Sequence, residues 1–600
     1  MRFFADRERT VSARAVAKEL TRDVRETGAL PPGPRRHGAL ASILVRAGEL
    51  AQGVADAERA GAGADRAGPG ERAAMAATLS CAKALWASWR AGEVLEHPGA
   101  RWEAGLLCAP LPDEIRVRRA EGFALYGVYP ETYAAAAARA LAGADATVVG
   151  IRSIGTALAA MVAAGAGTLR LPVTVRPVGD PFRREVRLDP GLAARLGRGG
   201  GPFAVADEGP GLSGSSFVAT AEALGRLGVD RARVHLFPSH PGLPGAAADP
   251  RARAAYERLA RLHVPFEALF LGDGPLALGG LAADLVGPLD GPPRDLSAGA
   301  WRAVVFGAPE RRWPPSQGWR ERRKFLVDAG RRTWLARFVG IGEDGERALR
   351  RARALGAAGL VPAPAGLRHG FLVERFEHRA LPLPLAGLPH VPLLRAVRRH
   401  VVFVAARFPA GDGEGAPPRV LAEVAVENVR EALGAGAAAA AAALAGRLLP
   451  EVARDARPVA VDGKLQRWEW LVLPGGEIVK ADALDHHADH ALVGCQDALW
   501  DVAGAAIELD LSRDEALELA RAVRAAAPGA APRCLPFYEA AYAAFELGRW
   551  TLAAADPDLD DGERVRRRGQ AGRLAAALRR VLGPRALGAD VGWGKPDRPQ

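Results

Sequence analysis

The run Phe203-Ala-Val-Ala-Asp-Glu-Gly-Pro-Gly-Leu-Ser-Gly-Ser-Ser-Phe217 constrains this chain more than any other. Four apolar residues, Phe203–Ala206, suit a buried strand. Asp207 and Glu208 stand at its end. Gly209, Pro210, Gly211 and Gly214 break the strand, and Ser213, Ser215 and Ser216 lead into a helix. Glycines let a backbone approach a ligand closely. Successive N–H groups and a helix N-terminus face an anion, and serine hydroxyls add donors. Two adjacent carboxylates would repel a bare phosphate unless they face sugar hydroxyls or a magnesium ion. The ligand read here is a polyol phosphate with a metal. The plain alternative is an ordinary strand–turn–helix connection with a serine cap.

The surroundings repeat the alternation. Thr147–Ile151, Leu171–Pro177 and Arg233–Phe237 read as further strands, and Thr156–Ala164 and Ser216–Leu227 as helices. This pattern predicts a parallel sheet with helices on both faces. Ligands of such sheets bind outside the carboxyl ends of the strands, which is where Asp207 falls.

The segment resembles the phosphoribosyl-pyrophosphate signature of the type I phosphoribosyltransferases. The resemblance implies that Asp207 and Glu208 contact the ribose hydroxyls. It makes Gly211, Ser213, Gly214, Ser215 and Ser216 the 5-phosphate loop. Four residues, Gly209–Leu212, separate the acids from Ser213, one more than the family's spacing. The family's pyrophosphate loop, which often holds a non-proline cis peptide, corresponds to Val148–Thr156. That implies Arg152, Ser153 and Gly155 as diphosphate contacts. Arg183 and Arg184 match its flexible basic loop. The implied reaction is substitution at the anomeric carbon, with Mg2+ assisting the departure of pyrophosphate.

A second region begins near residue 320. Lys324–Val327 and Thr333–Val339 read as paired strands, followed by a helix at Asp344–Leu355 and a strand at Phe371–Phe376. Downstream, Asp462-Gly-Lys-Leu-Gln-Arg-Trp-Glu469 is followed by Glu477-Ile-Val-Lys-Ala-Asp482 and by Asp497–Ala503. Acids at strand edges can hold magnesium on a nucleotide phosphate. This order resembles the aminoglycoside-phosphotransferase branch of the kinase-like fold. The resemblance implies Asp462 as catalytic acid and Asp482 and Glu469 as metal ligands. It also implies Arg337 as the nucleotide contact, Glu346 as its partner, and ATP as a cofactor. Three features depart from the family. No His-Gly precedes Asp462, Arg467 stands where the family has Asn, and no Gly-rich phosphate loop is visible near Ala329–Arg332. His486, His487 and His490 with Asp482, Asp485 and Asp489 have the donor types of a transition-metal site. A polar loop is the plainer reading.

Length supports several domains: 600 residues exceed one core. The expected fold class is multidomain α/β. It has a helical region at 1–119, a phosphoribosyltransferase-like domain at 120–245, a linker or accessory segment at 246–319 and a kinase-like α+β domain at 320–590. A net charge of +11 favours anionic partners, here phosphoribosyl pyrophosphate or a nucleotide. Nucleic acid is not supported by a motif. Four scattered cysteines form no CxxC pair and fit a reducing, cytoplasmic setting. Gly434–Ala445 is apolar but too short to span a membrane. The expectation is an enzyme that transfers a phosphoribosyl group to an unknown acceptor, with a second phosphotransferase half. The rival is a sensor with an interaction scaffold. A homodimer is left open.

Overall fold

The computed structural model describes residues 8–91, 100–245, 248–387, 390–411 and 413–583. The first region holds α1 (Pro34–Ala62) and α2 (Pro69–Ala91). A short helix, α3 (Pro130–Ala140), leads into the sheet. The sheet is built from β1 (Thr147–Ile151), β2 (Val173–Val175), β3 (Phe203–Ala206), β4 (Val234–Phe237) and β5 (Ala260–Arg261), in the order β2-β1-β3-β4-β5. Every pairing is parallel, as the strand–helix alternation predicts. The order reverses between β1 and β3, and the carboxyl ends of these strands are the switch point at which sheets of this topology form their ligand crevice.

Two helices start at that crevice. α4 (Gly155–Ala166) follows β1 and α5 (Ser215–Arg226) follows β3. α4 is nearly all alanine and small residues, and it is buried from Gly155 to Ala163. Its small side chains allow close helix contact. A Cβ on Gly48 of α1 would lie 2.8 Å from the Ala157 Cβ. The N-terminal helices therefore cover one face of the parallel sheet, and Leu44, Leu50, Leu158, Ala204 and Ala206 share one core. On the other face, Leu192, Leu196, Phe217, Leu224 and Tyr256 form a second core. One strand, Glu8–Ser12, pairs with Glu114–Arg118; the sequence pattern had shown only helix there.

The segment expected as linker or accessory packs, in its described part from residue 248, on the rest of the chain. Phe266 and Phe270 stack on each other and pack on Tyr129 and Phe371. β6 (Arg294–Asp295) joins a second sheet with β7 (Lys324–Ala329), β8 (Arg332–Phe338), β9 (Pro364–Arg368) and β10 (Phe371–Phe376). Its order is β6-β7-β8-β10-β9, all antiparallel. The helix α6 (Glu343–Ala357) connects β8 to β9. The described residues between 390 and 583 are mainly helical and include α7 (Leu499–Glu508), α8 (Leu535–Ala554) and α9 (Asp561–Leu582). Among the described residues, no helix is long and apolar enough to cross a membrane.

Candidate functional site

The crevice between β1 and β3 brings together much of the predicted loop. Gly211 and Gly214 have φ of +60° and +64°, a region that glycine adopts without strain. Gly214, the residue before α5, has no side chain to cap that helix, and the Ser215 N–H donates to Ser213 Oγ at 3.3 Å. Gly155 is required by packing, because a Cβ there would lie 2.5 Å from the Ala206 carbonyl oxygen. The Arg152–Ser153 peptide is cis. It lies in the loop where the resemblance places such a bond.

Asp207 and Glu208 sit side by side at the end of β3. The Glu208 N–H donates to Asp207 Oδ1 at 2.9 Å, and the Tyr133 hydroxyl donates to the Asp207 carbonyl at 2.8 Å. Burial pushes the Asp207 carboxyl up to about 7, with Arg176 and Arg184 pulling weakly against it. Burial and then the Asp207 charge push Glu208 up to about 8. Two half-buried carboxylates facing each other lack a strong counter-charge. That is the electrostatic state expected of an acid pair whose cation or hydroxyl partners arrive with a ligand.

Three predicted contacts are corrected. Arg152 does not face the crevice: its guanidinium is buried in ion pairs with Asp65 and Asp56, and it donates to Thr174 Oγ1 at 3.0 Å. The N-terminal helical region thus consumes the charge assigned to a diphosphate. The Ser215 hydroxyl donates to the Pro181 carbonyl at 2.6 Å, which clips the hairpin Val178–Glu185 onto the start of α5. Ser213 lies 3.0 Å from it, Oγ to Oγ. Arg183 is exposed at the hairpin tip, 3.7 Å from Asp249. Arg184 is half-buried and donates to the Pro177 carbonyl. Ser216 follows Ser215 in the first turn of α5.

The second half has a cleft of about 810 Å³ between the antiparallel sheet and the helical part. Arg337 reaches into it from β8. It donates to Asp482 Oδ1 at 2.7 Å and pairs with Glu374 of β10 at 3.2 Å. Those carboxylates, opposing the downward push of burial, hold its guanidinium charged. Glu346 is not its partner; it is exposed on α6, away from Arg337. Glu374 takes that role. Its signal was an acid following three apolar residues within the strand Phe371–Phe376.

Asp462 is also corrected. Its side chain has no exposure, and it accepts from His400 Nε2 at 2.8 Å with Lys480 Nζ 3.7 Å away. It does not line the cleft. Burial opposes its ionisation, yet Lys480 and His400 hold the carboxyl well below its usual range. Asp501 of α7 receives the backbone N–H groups of Asp462 and Gly463 at 2.8 and 2.9 Å. Asp497 likewise receives backbone N–H groups, from Leu499 and Ala530. Glu469 is tied to Lys480 Nζ at 2.6 Å. Of the histidine-rich run, Asp482, Asp485 and His486 converge. Against burial and the Lys464 charge, Asp482 and Asp462 raise His486 to about 9. An imidazolium and Arg337 therefore already balance Asp482.

Residues 296–323 run between β6 and β7, and Trp301, Val305, Ser316, Gln317 and Arg320 roof the cleft. Glu563 of α9 anchors this roof. It accepts from Arg302 at 2.6 Å and from the Ser316 N–H at 2.7 Å.

No family model matches this sequence, and no curated protein matches it. Solved structures similar to it include choline kinase LicA from Streptococcus pneumoniae. The identity is 14%, 42% of this chain and 89% of that chain are covered, and the TM-score is 0.29. A choline/ethanolamine kinase family protein from Mesorhizobium loti has 19% identity, covers 43% of this chain and 90% of that chain, and gives a TM-score of 0.29. A thermostable mutant of aminoglycoside phosphotransferase APH(4)-Ia has 18% identity, covers 50% of this chain and 97% of that chain, and gives a TM-score of 0.30.

Proposed function

We propose that this protein binds a phosphorylated ribose of the phosphoribosyl-pyrophosphate class at Asp207–Ser216 and transfers the ribose phosphate to an acceptor. One observation carries the reading: the strand order puts a half-buried acid pair and a glycine-led helix N-terminus at the same end of the sheet. The 5-phosphate faces the start of α5 and the hydroxyls of Ser213 and Ser216. Asp207 and Glu208 accept from the ribose hydroxyls, and the hairpin bearing Arg183 and Arg184 lies over the loop. The raised carboxyls of Asp207 and Glu208 fit a magnesium ion. Such an ion would supply charge neutralisation of the departing diphosphate. The chain's own part is to orient the ribose and to set carboxylate charge beside a ring that becomes cationic.

A second reading, binding without transfer, is favoured by Arg152. With its guanidinium sealed by Asp56 and Asp65, the diphosphate loses its arginine. In the same spirit, the cleft of the second half is read as a nucleotide site without phosphotransfer. Asp462 is buried, Glu469 is held by Lys480, and Asp482 is held by Arg337. These carboxylates do not fit a magnesium pair.

The experiment is pyrophosphate release from phosphoribosyl pyrophosphate and magnesium, with and without a panel of bases and nucleosides. Release that depends on an acceptor and disappears in Asp207→Asn supports transfer. Binding lost in Asp207→Asn without release supports the sensor. No binding by calorimetry rejects both.

A further inference from the structure

Apart from the residues of the crevice loop and the cleft, three fully buried side chains converge: His37 of α1, Glu131 of α3 and His369 in the turn between β9 and β10. They come from three parts of the chain. His37 Nε2 lies 3.0 Å from Glu131 Oε1, and His369 Nε2 lies 3.1 Å from the same oxygen. Their donor atoms all lie within 4.8 Å of one another.

The His369 contact lies at hydrogen-bond distance, but the ring is poorly aligned for one, and its Nδ1 has no other partner. Glu131 Oε2 has none either. Buried polar atoms are ordinarily satisfied, so this pattern requires a cause. His37 and Glu131 are within hydrogen-bond reach of each other, yet donor atoms are left over. Two imidazoles and a carboxylate converging on one point with spare lone pairs is also the arrangement of a metal-ligand set. With metal–ligand lengths of about 2.0–2.2 Å, tetrahedral donors lie roughly 3.3 Å apart. The two spacings here are close to that.

The turn supports the same conclusion. His369 has a φ of +44°, which a side chain other than glycine rarely adopts. The Tyr129 hydroxyl holds it there by donating to the His369 carbonyl at 3.0 Å. His37 Nδ1 lies 3.1 Å from Ser88 Oγ, an outer partner of the kind that orients a ligating imidazole.

We infer that His37, Glu131 and His369 form a structural site for a zinc-class divalent cation. Two imidazole nitrogens and a carboxylate are donors that suit zinc over magnesium or calcium. Glu131 supplies both oxygens, which completes four donors. The cation clamps the β9–β10 turn of the antiparallel sheet to the helices that cover the parallel one. The site has no exposure, so the ion enters during folding and does no chemistry on a substrate.

The test uses the full chain, expressed without a histidine tag and dialysed before elemental analysis. About one equivalent of zinc is expected per chain. His37→Ala and His369→Ala each lose it, while the doubly substituted Asp482→Asn/Asp485→Asn chain keeps it. Cobalt supplied during expression gives the intense visible bands of a four-coordinate ion. His369→Cys adds a sulfur-to-cobalt charge-transfer band, a readout available even where the alanine variants fail to fold. A folded wild-type chain with substoichiometric metal and no such bands overturns the proposal. It would leave a proton-sharing triad in its place.

Discussion

The Tyr126 hydroxyl lies 2.8 Å from His490 Nε2, and this contact joins a residue ahead of the parallel sheet to the histidine-rich run of the second half. Tyr126 ends a π-helical turn, Gly122–Tyr126. Burial first, and then the charges of Glu121, Glu208 and Asp489, raise its phenol well above the ordinary value. One hydroxyl therefore senses an acid of the crevice and an acid of the cleft. Removing it in Tyr126→Phe should cost about 0.5–1.5 kcal/mol, the smaller end being expected because Tyr126 is 53% exposed. Urea unfolding measures this.

The acid pair predicts a pH dependence of stability. The folded chain keeps protons on Asp207 and Glu208 that the unfolded chain releases at its ordinary carboxyl range. Stability from this source is full at low pH and is lost as pH rises through about 7 and then about 8. Asp207→Asn should flatten that fall. Thermal midpoints of both chains from mildly acidic pH to just above pH 8 decide it: parallel curves would rule the idea out.

Lys480 is the buried counter-charge of Asp462 and Glu469. Lys480→Met leaves two carboxylates buried beside each other without it. The expected loss is about 3–5 kcal/mol, read by denaturant unfolding. A loss below about 1 kcal/mol would mean the group is solvated in solution.

Nucleotide binding in the cleft should depend on Arg337 and not on Glu346. ATP is expected to raise the thermal midpoint of the wild type and of Glu346→Ala alike. Arg337→Ala should abolish that shift. Equal shifts in all three chains would place the nucleotide elsewhere.

Local pattern carried much of this architecture. The apolar run Phe203–Ala206 and the glycines after it specify strand, loop and helix within one short window, so Asp207 and Glu208 could be placed on the crevice. Lys324–Ala329, Arg332–Phe338 and Phe371–Phe376 were equally local. What local pattern lacks is the distant partner. Arg152 looks the same in sequence whether it meets a diphosphate or Asp65, which lies 87 residues away. Glu346 faces solvent because the buried face of α6 is set by Ala348, Leu349, Ala352 and Leu355, a choice fixed by packing. Asp462 sits at the expected turn, yet its rotamer is decided by His400 and Lys480 on other elements.

The roof over the cleft has one more consequence. Because Glu563 of α9 holds both Arg302 and the Ser316 backbone, and Arg567 donates to the Ser316 carbonyl at 2.8 Å, the chain's last described helix latches a segment some 250 residues upstream. A hinged jaw fastened at its free edge no longer opens by swinging. Traffic through it is set by how often the latch lets go, so Glu563→Gln would be felt as faster exchange of whatever the cleft holds.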